Sequence, residues 1–79
     1  MKYVITESGA IGMGGNSEYH KNIAAAIPAI EQPAKVVSAG YCKMGEDGKW
    51  TVYGNSIGYS MSAKPEDAEK LNTQITKYE

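Results

Sequence analysis

Asp47-Gly48 lies between two runs of strand-forming residues, Lys35 to Met44 and Lys49 to Ser56. No other feature constrains the fold as strongly. Asp-Gly favours a β-hairpin turn because glycine takes a positive φ without a Cβ penalty. The spacing predicts an antiparallel strand pair joined through "GEDGK". Side chains alternate faces along a strand. In either register of the hairpin, Val37, Ala39 and Tyr41 are expected to share a face with Trp50 and Val52, and that face is the predicted core. The other face carries Ser38, Gly40, Cys42 and Met44 with Thr51, Tyr53 and Asn55. It is half polar and open to solvent, a partner or a ligand.

The rest of the chain supplies elements to cover such a hairpin. Lys2 to Thr6 is rich in β-formers and reads as a strand. "AIGMG" offers a second short strand, which makes Glu7-Ser8-Gly9 a hairpin loop. Asn16 or Ser17 can cap a following helix, with Glu18 in its first turn. Tyr19, Ile23, Ala26, Ile27 and Ile30 recur at helical spacing. Pro28 disfavours helix at Ile27, so the helix is expected to stop there, with a turn from Ala29 to Pro33. Ile57, Tyr59, Met61 and Ala63 alternate with small residues and predict a last strand with one buried face. Pro65 suits the first turn of a C-terminal helix whose stripe is Ala68, Leu71, Ile75 and Tyr78.

The order β-β-α-β-β-(β)-α predicts one α+β domain over residues 1–79. Its expected architecture is two-layered: an antiparallel sheet of four to five strands with two helices on one face. At 79 residues the core is small, and pairing with a second copy as a homodimer would stabilise it.

Charge narrows the function. The eight basic residues are all lysine, scattered among nine acids. Phosphate backbones call for a clustered basic face, and base edges are most often read by Arg, so nucleic acid is disfavoured. Phe is absent against six Tyr and one Trp. Tyrosine has an apolar body and a polar tip, which suits surfaces and interfaces. The lone Cys42 cannot form an intramolecular disulfide. No stretch approaches transmembrane length, and the N-terminus lacks the apolar run of a signal peptide. A cytoplasmic protein without membrane contact is the expectation.

The glycine-dense "ESGAIGMGGNSEYH" invites a phosphate-loop reading, and each specific motif fails. Gly12-Met13-Gly14-Gly15-Asn16-Ser17 lacks the third glycine of a dinucleotide fingerprint. Gly9 to Gly14 has P-loop spacing, but Gly15 and Asn16 stand where Lys and Ser/Thr belong. A hairpin and a helix entry account for the stretch. The alternative is an anion site built by Gly12, Gly14, Gly15, Asn16 and Ser17 with His20.

The single histidine has no metal-ligand companions at zinc spacing. It lies beside the apolar helix stripe, where a hydrogen bond to the sheet is the favoured reading over a ligand contact or a general base. Cys42 and Ser56 are nucleophiles in principle. A Cys42–His20–Asn55 triad would require the helix to pack on the polar sheet face, against the expectation that the Trp50 face is core. Glu66, Asp67 and Glu69 read as solvated charges complementing a helix dipole. No metal or cofactor is expected.

Taken together, Gly9-x-Ile11-x-x-Gly14, His20 opening a helix, "VVSAGYC", "WTVYGNSIGYSMS" and "KPEDAEKL" resemble a loose group of small proteins encoded by phages and other mobile elements. The resemblance spans nearly the whole chain and transfers no catalytic residue. It implies a context in which small proteins bind and inhibit host machinery, as anti-CRISPR and other anti-defence proteins do. The expected function is therefore a non-enzymatic protein that inhibits or modulates a protein partner through Tyr53, Asn55, Cys42, Met44 and Thr51. The alternative is a small-molecule or nucleotide-binding module using the loop 9–17; an enzyme is least favoured.

Overall fold

The computed structural model describes residues 1–27 and 35–76, the side chains of 75 and 76 excepted. In chain order the elements are β1 (Lys2–Thr6), β2 (Ile11–Gly14), α1 (His20–Ala25), β3 (Val36–Met44), β4 (Trp50–Tyr53), β5 (Asn55–Ser56), β6 (Met61–Ser62) and α2 (Pro65–Thr76). The fold is α+β. A four-stranded sheet has the order β2-β1-β3-β4, β5 and β6 form a small second sheet, and every pairing is antiparallel. The predicted turn at 29–33, Ile30 and Tyr78 lie outside the described residues, and so does the side chain of Ile75.

β1 runs through the centre of the sheet, and its side chains from Tyr3 to Thr6 are all buried. A strand covered on one side alternates apolar and polar residues; Tyr3, Val4 and Ile5 do not. Both faces of β1 therefore need a cover. Val4 packs with Ala39 and with Ile23, Ala24 and Ile27 from α1 and the residues after it. Tyr3 and Ile5 pack with Cys42 and with Leu71 of α2. The expectation of two helices on one face is corrected: each helix covers its own face of the sheet.

The β3–β4 hairpin forms where Asp47-Gly48 predicted it, with Gly48 at φ 79°. Its register differs. Met44 pairs with Trp50 and Cys42 with Val52, so the loop holds the five residues 45–49, closed by Gly45 N–H donating to Lys49 O at 2.8 Å. An odd loop length puts even-numbered residues opposite even-numbered ones. Trp50 and Val52 consequently share the α2 face with Cys42, while Tyr53 and Thr51 lie on the α1 face opposite Tyr41 and Lys43. The expected sharing of one face by Trp50 and Val52 with Ala39 and Tyr41 is therefore corrected. An irregularity between Ile5 and Thr6 also sends Val36 to the α1-side core and Val37 to the α2-side core.

Two further expectations change. The strand predicted over Lys49 to Ser56 is β4 only from Trp50 to Tyr53, and the chain bends at Gly54, φ 72°. A Cβ there would lie 2.9 Å from the Tyr41 ring. Of the predicted last strand, 57–63, only Met61–Ser62 is strand, as β6; 57–60 is a tight turn in which Ser60 N–H donates to Ile57 O at 3.1 Å, and Ile57 is 89% exposed. At the first helix, Glu18 N–H donates to Gly15 O within a turn, and Tyr19 is the N-cap without a side-chain cap bond. Asn16 and Ser17 do not cap, and no acid occupies the first turn.

Candidate functional site

The site begins with a cross-strand row. Lys2 pairs with Tyr41, and Tyr41 pairs with Tyr53, so three adjacent strands present these side chains on the α1 face. The Tyr41 and Tyr53 rings stack with centroids 5.6 Å apart. Lys2 Nζ lies 5.8 Å from the Tyr41 centroid and 6.0 Å from that of Tyr19, within cation–π reach of both. Lys43 Nζ stands 5.7 Å from the Tyr53 ring.

His20 anchors the start of α1 against this row. It is buried, and its Nε2 lies 2.8 Å from Gly40 O. A carbonyl only accepts, so Nε2 carries the proton and donates. The ring meets Tyr41 edge-on at 5.8 Å and 88°. The histidine hydrogen bond to the sheet is thus present, with β3 as the acceptor.

Between α1, the Lys2–Tyr41 row and the 55–59 segment opens a cleft of about 680 Å³. Its rings are Tyr19, His20, Tyr41 and Tyr59; Lys2, Lys21, Asn55 and Ser56 supply its polar groups. Tyr19, 71% exposed, and Ile57, 89% exposed, stand at its edge. Ser56 is buried, and its Oγ has no hydrogen-bond partner among the described residues. Buried hydroxyls normally have a partner.

The sequence-predicted residues separate. Asn55 and His20 meet in the cleft. Tyr53 stacks against the cleft's Tyr41, with Thr51 further along the same strand. Met44 is half exposed at the far end of β3. Cys42 is fully buried against Leu71 on the α2 face, and burial pushes its thiol pKa up. The proposed interface of Tyr53, Asn55, Cys42, Met44 and Thr51 is therefore not one surface. Cys42 and His20 lie on opposite sides of the sheet, so no Cys42–His20–Asn55 triad assembles.

The glycine loop divides in the structure. A Cβ on Gly12 or Gly14 would lie 3.0 or 2.9 Å from the Ile23 side chain. These glycines let α1 lie close on β2, which gives them a packing role. Gly15, Asn16 and Ser17 are exposed. Of the six residues of the alternative site, only His20 lines the cleft.

Among the acids, Glu66 and Glu69 are exposed as expected. Asp67 is not; it is fully buried. Its Oδ2 accepts from Tyr3 Oη at 2.6 Å, from Ser38 Oγ, and from the Lys64 backbone N–H at 3.0 Å. Oδ1 has no partner among the described residues. Among the described residues no cluster of His, Cys, Asp and Glu could hold a metal ion, and no helix is long and apolar enough to cross a membrane.

Sequence reasoning missed Lys2, Tyr19, Tyr41, Ile57 and Tyr59 as a group. The available signal was the choice of Tyr over Phe. Their convergence depends on the bend at Gly54 and the turn at 57–60, neither of which has a turn motif as specific as Asp47-Gly48. Compared with family models, curated proteins and solved structures, the chain has no significant match.

Proposed function

We propose that this chain is a non-enzymatic binding protein that inhibits or modulates a protein partner, with the tyrosine-walled cleft as its contact surface. The observation that carries this reading is the cleft's rim. Tyr19 and Ile57 expose most of their apolar surface beside a concave aromatic wall. A small ligand seated in the cleft would leave that rim wet, whereas a partner surface covers rim and wall together. Interfaces are enriched in Tyr at their centres, and aromatic anchors carry much of the binding energy. The resemblance to phage-encoded proteins suggests host defence machinery as the partner class.

A photo-crosslinking residue at position 57 tests this in the source cells. A discrete protein adduct that disappears when Tyr41 is replaced by Ala supports the reading. Crosslinking from position 46, on the remote hairpin loop, but not from 57 would refute it.

A second reading, a small-molecule module, draws support from the cleft volume, which falls in the range of ligand pockets. It uses the cleft, not the loop 9–17. Its test is a rise in melting temperature with a ligand panel, since a ligand that binds only the native state stabilises it.

A further inference from the structure

Resting on the cleft as the contact surface, we infer that it receives an acidic segment of the partner, one that inserts an apolar side chain with a carboxylate beside it. Lys2 and Lys21 are the charged residues of the cleft lining, and both are positive. Composition does not dictate this, because acids outnumber lysines nine to eight along the chain. Lys2 is half-buried, and its ammonium sits over Tyr19 and Tyr41. A partly desolvated cation gains most from an anion delivered to it. The apolar body of the segment packs against the rings of Tyr41 and Tyr59 and against Ile57. Charge complementarity of this kind fixes the sign of the partner and suppresses oppositely charged competitors.

The probe is a capped pentapeptide with a central tryptophan flanked by two aspartates on each side, titrated into the labelled protein and followed by amide NMR shifts. A second peptide carries lysines in place of the aspartates, and adenosine monophosphate is the third ligand. The acidic peptide is expected to shift resonances of Lys2, Tyr41 and 56–59. It should bind about tenfold more tightly than its lysine counterpart, the order two partly exposed ion pairs supply. The preference should vanish in the Lys2→Gln/Lys21→Gln double variant, whose shifts far from the cleft report an intact fold. Equal binding of the two peptides overturns the acidic segment while leaving the contact surface standing. Tighter binding of the nucleotide than of the acidic peptide overturns it in favour of a small anion. If no ligand shifts the cleft resonances, both the inference and the contact surface fall.

Discussion

Tyr3 Oη donates to Asp67 Oδ2 at 2.6 Å across 64 positions of sequence, tying the central strand to the first turn of α2. Ser38 adds a donor from β3, and the Lys64 N–H one from the residue before α2. Three chain segments therefore depend on one carboxylate oxygen. Asp67→Ala leaves two buried hydroxyls without their acceptor and should cost about 2–4 kcal/mol. Chemical denaturation measures this directly. Glu69→Ala, an exposed neighbour on the same helix, should change stability little.

The same pair sets a pH dependence. Burial, followed by the hydrogen bond to Asp67 and its charge, holds the Tyr3 pKa above its ordinary value of 10.0. The native state thus holds this proton more tightly than the unfolded state. Its contribution is fully present below pH 10 and is lost as pH rises from there toward the raised native value. Burial of Cys42 raises its thiol pKa from 9.0, which adds a loss of the same sign starting lower. Stability should decline above about pH 9–10, and Tyr3→Phe should flatten the part beyond 10. An unchanged slope in that variant would remove Tyr3 from the account.

Gly12 and Gly14 are predicted to be packing residues. Gly14→Ala brings a Cβ to 2.9 Å from Ile23 and should destabilise by about 1–3 kcal/mol, the usual cost of overpacking. Ile23→Val should recover part of that loss in the double variant. Gly15→Ala meets nothing within 4 Å and should be close to neutral. Thermal melts of the variants separate this account from a phosphate-binding loop, in which all three positions would matter for ligand and none for packing.

The pattern of what the sequence revealed follows from the range of the forces involved. The Asp47-Gly48 hairpin, the strands at Lys2–Thr6 and Ile11–Gly14, and the helix opened by Pro65 are local, and each appears where expected. The faces were not legible, because a loop of five residues rather than an even number exchanges them. The uninterrupted Tyr3-Val4-Ile5 run did carry a signal that both sides of β1 are covered. Asp67 looked like a helix-dipole charge because its partners, Tyr3 and Ser38, are remote in sequence. The cleft drew its tyrosines from the N-cap of α1, from β3 and from the 57–60 turn, and only packing brings these together.

The central claim is that the cleft around Tyr19, Tyr41 and Ile57 is the contact surface. The most direct test is the affinity of the crosslinked partner for four purified variants. Tyr19→Ala and Ile57→Asp should each weaken binding by about 2 kcal/mol, roughly 30-fold, as interface anchors do, without lowering the melting temperature. Met44→Ala and Thr51→Ala, outside the cleft lining, should bind as the parent does. Parent-like affinity for Tyr19→Ala and Ile57→Asp, with a loss for Met44→Ala or Thr51→Ala, would contradict the account and return the interface to the β3–β4 hairpin.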